Sequence, residues 1–218
     1  MRVIVTGVTG MVGEGVLLEC LDAPEVTHVL GVSRKPTAHT HPKLEQLLVP
    51  DFRNLDEAAL AKLGGYDACF YCAGISSAGV SEADYTVVTY DTPVAFAEAL
   101  ARLCPNMVLT HVSGAGTDGT ERGRIMWARV KGRAENALMR LPFKGVYNFR
   151  PGIMTPKPGQ RHVTKLFRAL LVLAPVMRLF LPVLELGQVG RAMIRCVERG
   201  APKHVLEARD IAALAEEE

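Results

Sequence analysis

Short apolar runs alternate with stretches of helical spacing from one end of the chain to the other. Runs at residues 2–6, 26–33, 44–49, 67–72, 106–112, 146–150 and 204–206 read as strands. They are short, rich in Val, Ile and Leu, and bounded by Gly, Pro or Asp. Helical spacing covers residues 11–21, 55–63, 81–103, 124–139, 163–181 and 189–199. The alternation of these runs with helical stretches is the signature of a parallel sheet covered by helices on both faces. The expected fold class is therefore α/β, a Rossmann-type doubly wound parallel sheet of about seven strands. Pro151, Gly152, Pro156, Pro158 and Gly159 break this rhythm and hand over to a mostly helical end. The chain is read as one domain over residues 1–218, with residues 151–203 forming a small, mostly helical substrate or interface lobe within it.

Composition narrows the function. With 49% apolar residues the chain can build its own core, and 25 basic against 23 acidic residues leave a net charge of only +2. The basic residues are spread out, so nucleic acid is not an expected partner. The five cysteines are an odd number placed in apolar runs, and the chain opens on a strand pattern with no secretory leader. A reducing, cytoplasmic location is expected. Cys69 and Cys72 spell C-x-x-C, but three residues apart on a strand they point to opposite faces roughly 10 Å apart, so they read as core residues. His39 and His41 read as loop histidines, and no metal site is expected. Residues 166–186 are apolar enough to span a membrane, yet Arg178, Pro175 and Pro182 argue for packing on the domain or in a homodimer.

The segment Val3-Ile4-Val5-Thr6-Gly7-Val8-Thr9-Gly10-Met11-Val12-Gly13 carries the strongest chemistry. A strand leads straight into G-x-x-G-x-x-G and then into a helix. Gly7 allows the tight exit, Gly10 allows backbone N–H groups to approach a diphosphate, and Gly13 allows the helix to pack close. About 20 residues further on, NAD-preferring domains place an acid on the ribose hydroxyls. Here Ser33-Arg34-Lys35 stands instead, two cations suited to a 2′-phosphate, so NADP is expected over NAD. Asp51 and Phe52, after the third strand, are placed for the adenine.

Together with Cys72-Ala73-Gly74, Val112-Ser113-Gly114-Ala115-Gly116, Trp127-Ala128-Arg129-Val130-Lys131 and Phe149-Arg150-Pro151-Gly152-Ile153-Met154, this loop resembles the short-chain dehydrogenase/reductase superfamily. The similarity spans nearly the whole chain and is nearest the atypical, epimerase-like and Tat-interacting-protein-like branch. The resemblance implies that Ala73 and Gly74 line the cofactor ribose and that Ser113 binds the substrate oxygen. It further implies that Lys131 holds the nicotinamide ribose and that Pro151, Gly152 and Ile153 pass beside the ring. Residues 127 and 131 are i and i+4 on a helix and share a face whatever the family. Where the family has a proton-transferring tyrosine, this chain has Trp127, whose indole N–H donates a hydrogen bond but does not titrate in water's range. His111, two residues before Ser113, is a candidate acid–base substitute. Tyr71 and Tyr85 are read as core.

The expected function is an NADP-dependent oxidoreductase acting on a small organic, even apolar, substrate. The catalytic candidates are Ser113, Lys131, Trp127 and His111. The competing expectation is a redox-inactive NADPH sensor or interaction protein.

Overall fold

The computed structural model describes residues 1–162 and 183–216. Seven parallel strands form one sheet: β1 Arg2–Thr6, β2 His28–Ser33, β3 Leu44–Leu48, β4 Ala68–Tyr71, β5 Val108–Val112, β6 Gly145–Arg150 and β9 Val205–Glu207. Their spatial order is β3-β2-β1-β4-β5-β6-β9, the doubly wound order expected from the alternation. Burial explains the unbroken apolar runs: Val3, Ile4 and Val5 are fully buried because helices cover both faces.

On one face α1 Met11–Asp22 packs with α6 Leu186–Arg199 and α7 Ala208–Glu216, through Val16, Leu17, Val189, Met193 and Ile211. On the other, α2 Glu57–Leu63, α4 Thr92–Leu103 and α5 Met126–Leu138 cover Ile4, Leu30, Tyr71 and Leu109 with Leu63, Phe96, Leu100 and Leu138. Cys69 joins the second core and Cys72 packs against the first, so the C-x-x-C pair does straddle the sheet.

Three differences from the sequence expectation have physical causes. The helix expected over residues 81–103 is α3 Glu82–Thr86, a π turn Val87–Asp91 and α4. Pro93 has no N–H to donate, and the Thr92 N–H and hydroxyl both reach the Val87 carbonyl, the hydroxyl at 2.7 Å, so the turn widens by one residue. A two-stranded sheet of β7 Ile153–Thr155 and β8 Val183–Glu185 also forms. β7 lies inside the Pro- and Gly-rich break at residues 151–159, where no strand period shows. The terminal helix α7 was not among the expected elements, and Ile211 and Leu214 lie on its buried face. The helix expected at 163–181, and most of the apolar stretch 166–186 proposed for a homodimer, lie outside the described residues.

Strand register positions the site. Tyr71 pairs with His111 and His111 with Asn148, so these three form a row across β4, β5 and β6 on one face, near the carboxyl ends of the strands.

Candidate functional site

At the end of β1 the chain turns through Gly7 at φ +68°, a conformation that disfavours any side chain. A Cβ on Gly13 would lie 2.2 Å from the Gly7 carbonyl oxygen, so only glycine lets α1 start this close to the strand. Gly10 caps α1 without a side chain. Its N–H bonds back to Gly7, and the Met11, Val12 and Gly13 N–H groups meet no acceptor among the described residues. Three open donors at a helix N-terminus constitute an anion-binding end.

Beside this end the order of strands reverses between β1 and β4. Thr6 Oγ1 clamps the two by accepting the Cys72 and Ala73 N–H groups at 3.0 and 3.2 Å. A cleft opens here as two adjoining pockets. The larger, about 550 Å³, has Gly7, Thr9 and Gly10 on its floor, Ala73 and Gly74 on one side, and Ser33, Arg34, Asp51 and Phe52 at its far end. Ser33 Oγ donates to the Lys35 carbonyl at 2.6 Å, which holds the turn that presents Arg34. Arg34 is exposed and has no partner among the described residues, whereas Asp51 is gripped by Arg53 at 3.1 Å and Asn54 at 2.9 Å. Arg53 holds the Asp51 carboxyl down at about 2. Phe52 is buried and stacks on Phe96 at 5.0 Å.

The smaller pocket, about 270 Å³, continues from Gly10, Met11 and Val12 to His111, Ser113 and Lys131, with Met154 at its edge. Ser113 Oγ lies 3.0 Å from Thr117 Oγ1, which donates to the Gly114 carbonyl at 2.7 Å. His111 is buried, with Nδ1 3.0 Å from Asn148 Oδ1. Burial, aided by the Lys131 charge, lowers His111 to about 4, so the ring is neutral near pH 7. Burial also depresses Lys131, against the pull of Glu135. Lys131 has no hydrogen bond or ion pair among the described residues, because Glu135 is bound bidentately by Arg150 at 3.0 and 2.6 Å.

The remaining sequence candidates stand outside the pocket linings. Trp127 is half-buried, and the Cβ positions of Gly116 and Gly114 would fall 3.5 and 3.9 Å from its ring. Lys35, Pro151, Gly152 and Ile153 line neither pocket, and the neighbouring Met154 does. Sequence reasoning did not find Val88, Thr89 and Thr92, which the π turn brings to the cleft. Pro93 was the available signal. Tyr71 also lines the larger pocket, although burial pushes its hydroxyl pKa up.

A second polar centre lies behind the glycine loop. The Glu14 carboxylate is fully buried and accepts from His39 Nε2 at 2.7 Å, the Arg161 N–H at 2.9 Å and the His162 N–H at 2.8 Å. Burial raises its pKa, but these donors outweigh burial and hold it below the ordinary carboxylate range. Its sequence signal was an acid on the face of α1 that otherwise carries Leu17 and Leu21.

The sequence model described as the NAD dependent epimerase/dehydratase family matches residues 3–124. Leucinostatins biosynthesis cluster protein T of Purpureocillium lilacinum is 33% identical over 143 residues, which are 65% of this chain and 52% of that protein. The chain thus spans about half the length of that relative. Protein FMP52, mitochondrial, of Eremothecium gossypii is 26% identical over 165 residues, 74% of this chain and 70% of that one. Among solved structures, MoeE5 in complex with UDP-glucose and NAD superposes with a TM-score of 0.68 at 16% identity. That likeness of fold covers 99% of this chain and 81% of that one.

Proposed function

The chain belongs to the NAD dependent epimerase/dehydratase family, and from that premise we propose that it is an oxidoreductase that uses NADPH in preference to NADH on a small organic substrate. The observation that carries this reading is one continuous cleft with three kinds of recognition in the order a dinucleotide needs. The α1 N–H donors, open among the described residues, face the diphosphate position, Arg34, without a partner among those residues, stands at the adenosine end, and Ser113 and Lys131 stand at the other. The residues fit such a group: Gly13 keeps clear the space beside the loop, and a Cβ on Gly74 would meet nothing within 4 Å.

The cofactor, when bound, supplies or receives the hydride. The protein's own residues do the rest. Arg34 offers a planar pair of donors to a 2′-phosphate, while Asp51 is already engaged by Arg53 and is a poor holder of a ribose diol. Ser113 orients the substrate oxygen, and Met11, Val88, Pro93 and Met154 give the smaller pocket apolar walls that exclude water. The five free thiols suit a reducing, cytoplasmic compartment; the FMP52 relative is named mitochondrial. No helix among the described residues is long and apolar enough to cross a membrane.

The absence of a titratable hydroxyl at residue 127 favours a second reading, an NADPH-sensing protein without turnover. Titration of NADPH and NADH against the fluorescence of the single tryptophan, with NADPH oxidation over a panel of aldehydes and ketones, separates the two. The expected result is tighter binding of NADPH than NADH, by about tenfold or more, with carbonyl-dependent oxidation. Tight NADPH binding with no turnover on any carbonyl supports the sensor, and no binding of either nucleotide overturns both.

A further inference from the structure

Reduction of a carbonyl needs a proton at the oxygen, and the side chains around the smaller pocket differ in what they can give. Trp127 packs on the Gly114–Gly116 shelf and does not line the pocket. The Ser113 proton is directed to Thr117 Oγ1, because the Thr117 proton goes to the Gly114 carbonyl. His111 is held on Asn148 and is neutral near pH 7, so it carries no imidazolium proton. Lys131 remains. Its Cδ and Cε run along Gly114, where a Cβ would lie 3.8 Å from each, and its ammonium group has no partner among the described residues. Of the groups around it, Glu135 on α5 is already tied to Arg150 and His111 on β5 is neutral.

We propose that Lys131 itself delivers and removes the proton of the reaction, in the position of function that the resemblance gives to a tyrosine. The proposal rests on the oxidoreductase reading. In the reducing direction the carbonyl carbon receives a hydride from the reduced dinucleotide, and the C–O π electrons become an oxygen lone pair. One Nζ–H bond then breaks, its proton forms the O–H bond of the alcohol, and its electron pair stays on Nζ. The neutral amine regains a proton from water. Oxidation of an alcohol runs the same steps backwards, with neutral Lys131 as base. Desolvation of Lys131 favours this exchange, since it weakens the hold of the amine on its proton.

The test uses Lys131→Ala, Lys131→Arg and Lys131→Met in the full chain, with NADPH affinity read from tryptophan fluorescence beside turnover. Lys131→Met keeps the aliphatic stem on Gly114, so its thermal unfolding shows whether lost activity is lost folding. The expected result is a fall in turnover of about 10² to 10⁴ in Lys131→Ala. NADPH affinity should change by less than about tenfold, and added methylamine should restore turnover at least about tenfold in Lys131→Ala. Lys131→Arg, whose guanidinium does not deprotonate, should bind NADPH yet stay inactive. Lys131→Ala turnover that stays near wild type, or that falls and ignores methylamine while wild type remains active, overturns the proton role and leaves the oxidoreductase reading intact. A wild-type chain that binds NADPH and reduces nothing overturns both.

Discussion

Ser113 donates its hydroxyl proton to Thr117 Oγ1 over 3.0 Å, a direction imposed because Thr117 must itself donate to the Gly114 carbonyl at 2.7 Å. Ser113 therefore presents lone pairs, not a proton, to the smaller pocket. Such a group favours a substrate hydroxyl over a carbonyl. Thr117→Val frees the Ser113 proton. In steady-state assays of the proposed activity, KM for the carbonyl should fall severalfold and KM for the alcohol rise, with NADPH affinity unchanged. Urea unfolding should report a loss of about 1 kcal/mol. An unchanged ratio of the two KM values would refute the assigned direction.

Arg34 decides cofactor choice if its guanidinium, which has no partner among the described residues, meets a 2′-phosphate. Replacing it by alanine should weaken NADPH binding by about 1.5–3 kcal/mol, roughly ten- to a hundredfold, and leave NADH within a factor of about two. Equal losses for both nucleotides, measured by fluorescence titration, would assign Arg34 to the shape of the loop instead.

Glu14 ties α1 to residues 161 and 162 and to the β2–β3 loop. Glu14→Ala leaves buried N–H groups unmet and should lower unfolding free energy by about 2–4 kcal/mol at neutral pH. Because the folded pKa is depressed, the carboxylate's contribution is present above the unfolded value near 4.5 and is lost as pH falls through the folded one. The gap between the urea midpoints of wild type and variant should therefore narrow as pH falls below 4.5. A constant gap across that range would count against the ionised form as the anchor.

His111 gives a second, separable pH effect. Its pKa falls from 6.5 to about 4 on folding, so below 6.5 the unfolded chain takes up more protons than the folded one. Stability from this group is complete above pH 6.5 and drains away as pH falls through about 4, by up to about 3 kcal/mol. His111→Asn should flatten the stability curve over that window when urea midpoints are followed. A wild-type curve already flat there would show that the ring titrates normally.

Much of this was legible along the chain. The strand and helix periods, the G-x-x-G-x-x-G turn between β1 and α1, and the cations after β2 all express local rules acting over a few residues. That Ser113 and Lys131 face one site was implied by the resemblance to the short-chain dehydrogenase/reductase superfamily, and both line the smaller pocket. The π turn could not be read from spacing, because Pro93 is tolerated at a helix start and only the packed cleft shows that the chain widens there.

What the linear order of residues determined by itself is the doubly wound frame and the glycine turn at the start of α1, since both depend on backbone geometry and apolar periodicity. The tertiary structure alone decided that Glu14 is a buried anchor, that Trp127 stays out of the pocket and that Lys131 enters it with no partner among the described residues. Those outcomes turn on atoms brought together from distant positions, as with Glu14 and His162, 148 residues apart, where burial and competing hydrogen-bond partners set the charge and direction of each group.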